Sequence, residues 1–229
     1  MKYPLRTIAL QCDLFHPPME PSPVHVQRVH NELFQTPDPA YKSFSFAPSG
    51  AVLSNPVSRP GEVSTAAFLA DRFQFREELT SLTVDEFAER VRTISERVAR
   101  LSPVQVFTAQ QVTVRTLVNP RHFKDSRTYL REGMFGFSDQ IESFGRKAEL
   151  YGLRLVFPPT PEEPNAHALR IESFTSDARS LFLENQASFA PVLVARGLEV
   201  LSENVATAYA FLVERSLSFV GRFDQQQTP

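Results

Sequence analysis

The sequence predicts an α+β protein in which a strand, helix, three strands, helix unit occurs twice and builds one mostly antiparallel sheet with helices packed on one side. Two observations predict it. Segments whose polarity alternates every residue are interleaved with segments whose apolar residues recur every three or four, the periods of half-buried strands and amphipathic helices. The stretch 68–101 also overlays 182–215 without a gap. Phe68, Leu69, Phe75, Leu79, Glu89, Val91 and Thr93 meet identical residues at Phe182, Leu183, Phe189, Leu193, Glu203, Val205 and Thr207, where chance supplies roughly two matches. The expected organisation is a first repeat over 1–102, a second over 103–220, and a flexible polar tail over 221–229. At 229 residues with 42% hydrophobic content the chain can bury a sizeable core.

The elements follow in order. Residues 5–14 alternate, with Ile8, Leu10, Cys12 and Leu14 on one face, and predict a strand. Ser22-Pro23 can open a helix, which runs to Phe34 on a stripe of Val26, Val29 and Leu33. Three strands are expected at 41–47, 51–57 and 63–76, separated by Pro48-Ser49-Gly50 and Arg59-Pro60-Gly61. Thr83-Val84-Asp85-Glu86 fits a capping box, with Leu82 and Phe87 placed to staple it, and Val84, Phe87, Val91, Ile94, Val98 and Leu101 continue as one buried stripe.

The pattern then restarts. A long strand is expected over 104–118, followed by a helix from Asp125 or Ser126 that presents Leu130, Met134, Phe137, Ile141 and Phe144 and stops at Gly145. Strands at 150–157, 168–174 and 179–189 come next, the first two separated by a proline-rich surface loop over 158–164. The last helix, from 198 to about 219, repeats the earlier stripe through Leu201, Val205, Ala208 and Leu212.

Composition narrows the function. There are 24 basic and 26 acidic residues, so no overall field gathers a polyanion or an acidic membrane, and nucleic acid is not an expected partner. Basic charge is carried by Arg far more than by Lys, a bias that fits a GC-rich bacterial genome. No apolar run of about eighteen residues exists to span a membrane. The first residues lack the apolar core of a secretion signal, so a cytoplasmic location is expected. Cys12 is the only cysteine, which excludes an internal disulfide and a cysteine-built metal cage. Phosphate-binding loops, GxGxxG, HExxH and GxSxG are absent, and no cofactor or metal is expected.

Two groups of residues could carry chemistry. His122 and Asp125 stand in the polar turn 119–125 with Arg115 upstream, where they could position a general base or bind an anion; the alternative is a helix cap within a solvated turn. The second group is the set of charges inside predicted strands, chiefly Asp71, Arg115, Arg154, Arg170, Glu172 and Glu184. They could form a polar groove for a ligand or partner, or a solvated ladder of cross-strand pairs. Asp71 is in phase with Leu69, Phe73 and Phe75, and its counterpart in the overlay is Asn185. Phe is abundant, but basic residues are not interleaved with it as base stacking requires, so core packing is expected.

Asp71-Arg72-Phe73 before a capped helix, Val114-Arg115 with Asn119-Pro120, and Arg170-Ile171-Glu172 before the closing strand and helix resemble, over most of the chain, a sporadically distributed family of uncharacterised bacterial proteins. That resemblance implies no catalytic residue. In order of elements alone the unit is also similar to TATA-box-binding-protein-like and gyrase-inhibitor-like duplicated domains, and the duplicated architecture itself makes a wide sheet face or the inter-repeat cleft the expected binding surface. The expected function is therefore a non-catalytic cytoplasmic binding or adaptor protein acting on a protein partner or a second copy of itself. A small-molecule sensor and a hydrolase built on His122 and Asp125 are the alternatives.

Overall fold

A computed structural model describes residues 3–4, 6–20, 22–136 and 140–225, the side chain of residue 142 excepted. In chain order its elements are β1 (Arg6–Phe15), α1 (Pro23–Phe34), β2 (Ser43–Ala47), β3 (Gly50–Ser54), β4 (Val63–Leu69), β5 (Arg72–Glu78) and α2 (Val84–Leu101). Then come β6 (Val106–Phe107), β7 (Ala109–Val118), α3 (Ser126–Thr128), β8 (Gly152–Phe157), β9 (Ala166–Ser173), β10 (Leu181–Phe189), β11 (Val192–Leu193), α4 (Glu199–Ala210) and α5 (Leu217–Phe223). Nine of the strands form one antiparallel sheet in the order β2-β3-β4-β5-β1-β7-β10-β9-β8. The α+β class is as the sequence predicts.

Alternation decides which face is covered. Leu10, Cys12 and Leu14 of β1, Phe73 and Phe75 of β5, Val112 and Val114 of β7, and Leu183 and Ala187 of β10 are buried in one core with the stripes of the helices. Those stripes are Val26, Val29 and Leu33 of α1, Phe87, Val91, Ile94 and Val98 of α2, and Leu201, Val205 and Ala208 of α4. Each buried Val, Leu, Ile or Phe among them contributes about 1.5–3 kcal/mol. The capping box at Thr83 forms as its spacing requires: Glu86 N donates to Thr83 Oγ1 at 3.3 Å and Thr83 N to Glu86 Oε2 at 2.8 Å. At the β2–β3 turn Gly50 has φ +140°, and a Cβ there would collide with the Phe68 carbonyl of the next strands.

Several expected boundaries are corrected. The strand predicted over 63–76 is a hairpin, β4 and β5, that turns at Ala70 and Asp71, so the first half has four strands after its first helix. The long strand over 104–118 breaks at Thr108, whose amide is drawn to Phe15 O, and β6 leaves to pair with β11. The predicted third helix is one turn of α3, a π turn at Tyr129–Met134 and a 3₁₀ turn at Gln140–Phe144; Phe144 is exposed, and Phe137 lies outside the described residues.

The tail is corrected as well. Asp224 is fully buried and accepts hydrogen bonds from Tyr3 OH at 2.8 Å, Arg121 N at 2.8 Å and His122 N at 3.0 Å, so the chain is anchored there. Residues 226–229 lie outside the described residues.

Outward from the β1–β7 junction the sheet runs β1-β5-β4-β3-β2 on one side and β7-β10-β9-β8 on the other, and α2 packs against α4. The gap-free overlay agrees with these places only in part. Phe75 and Phe189 lie on β5 and β10, and Val91 and Val205 on α2 and α4, whereas Phe68 lies on β4 and Phe182 on β10. The turn at 70–71 lies inside the overlay, and β10 runs straight through the corresponding stretch.

Candidate functional site

The helices cover one face of the sheet, and the other carries the charges that alternation places opposite the core. Register sets them in rows. Glu78, Ala9, Arg115, Glu184, Arg170 and Arg154 are successive cross-strand neighbours on β5, β1, β7, β10, β9 and β8. Arg115 Nε donates to Glu184 Oε2 at 2.6 Å, and Arg170 Nε lies 3.5 Å from Glu172 Oε1 and 3.7 Å from Glu184 Oε1. Glu78 is held by Arg76 at 2.6 Å. A second row brings Gln74, Asp13 and Gln111 side by side, and Asp13 accepts from Gln74 and Gln11, each at 2.7 Å. Asp13 is almost inaccessible on a face without helices because the amide side chains beside it fill the space above it.

The structure thus brings together Arg115, Arg154, Arg170, Glu172 and Glu184. Arg154 differs from the rest: it is exposed, faces Arg170 across the β8–β9 pair, and has no ion-pair partner among the described residues. Asp71 does not join the row. It sits in the β4–β5 turn, where its side chain pairs with Arg72 at 3.1 Å and its carbonyl accepts from His16 N, so its phase with the core is a coincidence of the turn. His122 and Asp125 are not joined either. Asp125 Oδ1 accepts from Thr128 N at 2.7 Å as a helix cap, which with burial acting against it leaves the carboxyl below its usual range, while the His122 side chain is exposed.

A second polar group pairs Asn185, the overlay counterpart of Asp71, with a histidine that the sequence does not bring to it. His167 of β9 and Asn185 of β10 point from the sheet toward the last helix, both buried. Asn185 Nδ2 donates to Ala208 O at 2.9 Å, and its Oδ1 lies 3.3 Å from His167 Nδ1. The imidazole stacks on Phe211 with centroids 3.9 Å apart and planes 8° from parallel. Burial lowers its pKa below the usual value. Phe211 opens a π turn, Phe211–Ser216, that links α4 to α5. Beside it a cavity of about 290 Å³ lies under the proline-rich loop, closed at one rim by the bidentate pair of Arg215 with Glu163 at 2.8 and 2.6 Å. The signal available in the sequence was phase: His167 alternates with Leu169 and Ile171, and Asn185 with Leu183 and Ala187. The π turn leaves none.

Cys12 is fully buried, and burial pushes its thiol up to about 12, which makes it a packing group. No cluster of three or more His, Cys, Asp or Glu residues fit to hold a metal occurs among the described residues, and no helix there is long and apolar enough to cross a membrane. Comparison with protein-family models and with curated proteins finds no match for the chain.

Proposed function

We propose that this chain is a non-catalytic cytoplasmic binding protein that engages a protein partner, or a second copy of itself, through the uncovered face of its sheet. In this proposal the two halves are copies of one unit whose fusion makes that face twice as wide. The observation that carries the reading is Arg154. Like charges directly opposite on neighbouring strands repel, and Arg170 already shares the carboxylates of Glu172 and Glu184. An acidic side chain from outside would offset the like charges that the register sets opposite each other at Arg154 and Arg170 and would complete the row. Arg suits this role because its planar fork takes a carboxylate bidentately.

The rest of the row supports protein over nucleic acid. Acidic and basic groups alternate across it, so it presents no continuous basic track for phosphates. Its internal pairs are partly exposed and contribute about 1 kcal/mol each, which leaves them free to exchange partners on docking. A sensor using the same Arg and Glu groups has less support, since none of them lines the cavity beside His167.

The test is native mass spectrometry of the gently captured chain, repeated with Arg154→Glu and Arg170→Glu. The expected result is a stoichiometric partner or homo-oligomer whose affinity falls at least about tenfold, ~1.4 kcal/mol, in each variant, with thermal unfolding of the isolated chain little changed. A complex that survives both charge reversals, or hydrogen-exchange protection confined to the helices, overturns the reading.

A further inference from the structure

We propose that the cleft between the proline-rich loop and the last helix is a binding site for a small linear amine cation, of the diamine or triamine class. The cleft is made of two adjoining hollows. The 290 Å³ cavity beside His167 shares Pro164 and Asn165 with a larger hollow of about 820 Å³ that continues along α4 past Glu199, Glu203 and Asn204. Both lie on the helix side of the second half, apart from the open sheet face, so this site stands or falls independently of the partner-binding reading.

The lining selects for a cation that donates hydrogen bonds. The carboxylates of Glu162, Glu203 and Glu214 line it with no hydrogen-bond or ion-pair partner among the described residues, and together with Glu199 they outnumber Arg196, the lining's other cation besides the paired Arg215. Glu163 and Arg215 neutralise each other. The deeper wall is His167, only 6% exposed. Because the Asn185 amide nitrogen is already given to Ala208 O, its Oδ1 must accept, and His167 Nδ1 must carry the proton. A neutral ring with its proton on Nδ1 has its lone pair on Nε2, and that nitrogen receives no hydrogen bond from any described residue. The group offered at the cavity wall is therefore an acceptor, open to an N–H or O–H donor that enters the cavity.

Spacing gives the ligand its length. Glu203 and Glu214 are eleven positions apart in the chain, about 16 Å at helical rise, and His167 faces the cavity beside Thr207 and Ala210 between them. A linear triamine hydrogen-bonded at both ends reaches across that distance and sets its inner nitrogen near the imidazole. The π turn contributes by bringing Phe211, Glu214 and Arg215 to one side of the helix, and the Ser216 hydroxyl caps the widened turn by donating to Phe211 O at 3.2 Å.

The experiment titrates spermidine and 1,4-diaminobutane into the full chain, followed by calorimetry and by nitrogen-15 NMR of labelled histidine. The expected result is saturable binding, tighter for spermidine, that moves the His167 Nε2 resonance and leaves Nδ1 protonated. Glu203→Gln and Glu214→Gln, both at exposed positions and harmless to folding, each weaken it about three- to tenfold. Three outcomes overturn the proposal: no saturable change at His167 with either amine, binding unaffected by both Gln variants, or binding of an oligolysine peptide without binding of spermidine.

Discussion

Two buried polar residues on one cross-strand row, Glu77 and Asn185, stand on either side of the β1–β7 junction and are treated differently. In the first half Glu77 of β5 lies opposite Leu10 of β1 and Ser64 of β4; in the second Asn185 of β10 lies opposite Val114 of β7 and Leu169 of β9. Glu77 is buried, and burial holds its carboxyl above the usual range even with Arg90 Nη1 at 2.7 Å and the Ser64 hydroxyl at 2.9 Å. The space beside it amounts to about 10 Å³. Asn185 is neutral, satisfies His167 and Ala208, and adjoins a residue that opens on 290 Å³. A buried charge requires its own counter-charge and closes around it, whereas a neutral pair can leave one ring nitrogen available.

The strongest way to break this comparison is Glu77→Ala. It strands Arg90 in a largely buried setting and is expected to cost about 3–5 kcal/mol in urea unfolding. Asn185→Ala is expected to cost less, about 1–3 kcal/mol, since it strands the Ala208 carbonyl and the His167 Nδ1–H but no charge. If the two losses come out in the reverse order, the contrast between a charged and a neutral core pair is wrong.

The pH dependence sharpens it further, because the signs oppose. The folded state holds the Glu77 proton more tightly than the unfolded chain does, so that group's contribution is largest below the ordinary carboxylate value and declines as pH rises through it toward the raised value. His167 binds its proton less readily when folded, so its contribution is complete above about pH 6.5 and is lost as pH falls from there toward the lowered value. Unfolding measured across about pH 4 to 8 should show Glu77→Gln removing a decline toward neutral pH and His167→Gln removing a decline toward acid, each with a slope of at most about 1.4 kcal/mol per unit. The smallest expected effect is Thr83→Ala, about 1 kcal/mol, confined to the first half because Leu198 supplies no side-chain cap to α4.

What the sequence made legible follows the physics of its signals. Periodicity marked the strands and helices because each has one buried face, and the capping box at Thr83 was readable because both its bonds are local. The row of Arg115, Arg154, Arg170, Glu172 and Glu184 was anticipated as a set, since all fall out of phase with the core, but their order across the sheet depends on register between distant strands. Asp71 misled because alternation continues through a tight turn without a break in phase. His167 and Asn185 were each visible as polar residues in a core phase; their meeting depends on β9–β10 pairing and on the π turn at Phe211, which follows from packing and not from composition.

The junction of the sheet has a consequence for how the chain folds. Cys12 of β1 pairs with Val112 of β7 and with Phe75 of β5, so this strand finds one neighbour some sixty residues later and the other about a hundred residues later. Loops that long close slowly. Until they close, β1 has two unpaired edges and the apolar face of Leu10, Cys12 and Leu14 without cover, a combination that favours aggregation of the incompletely folded chain.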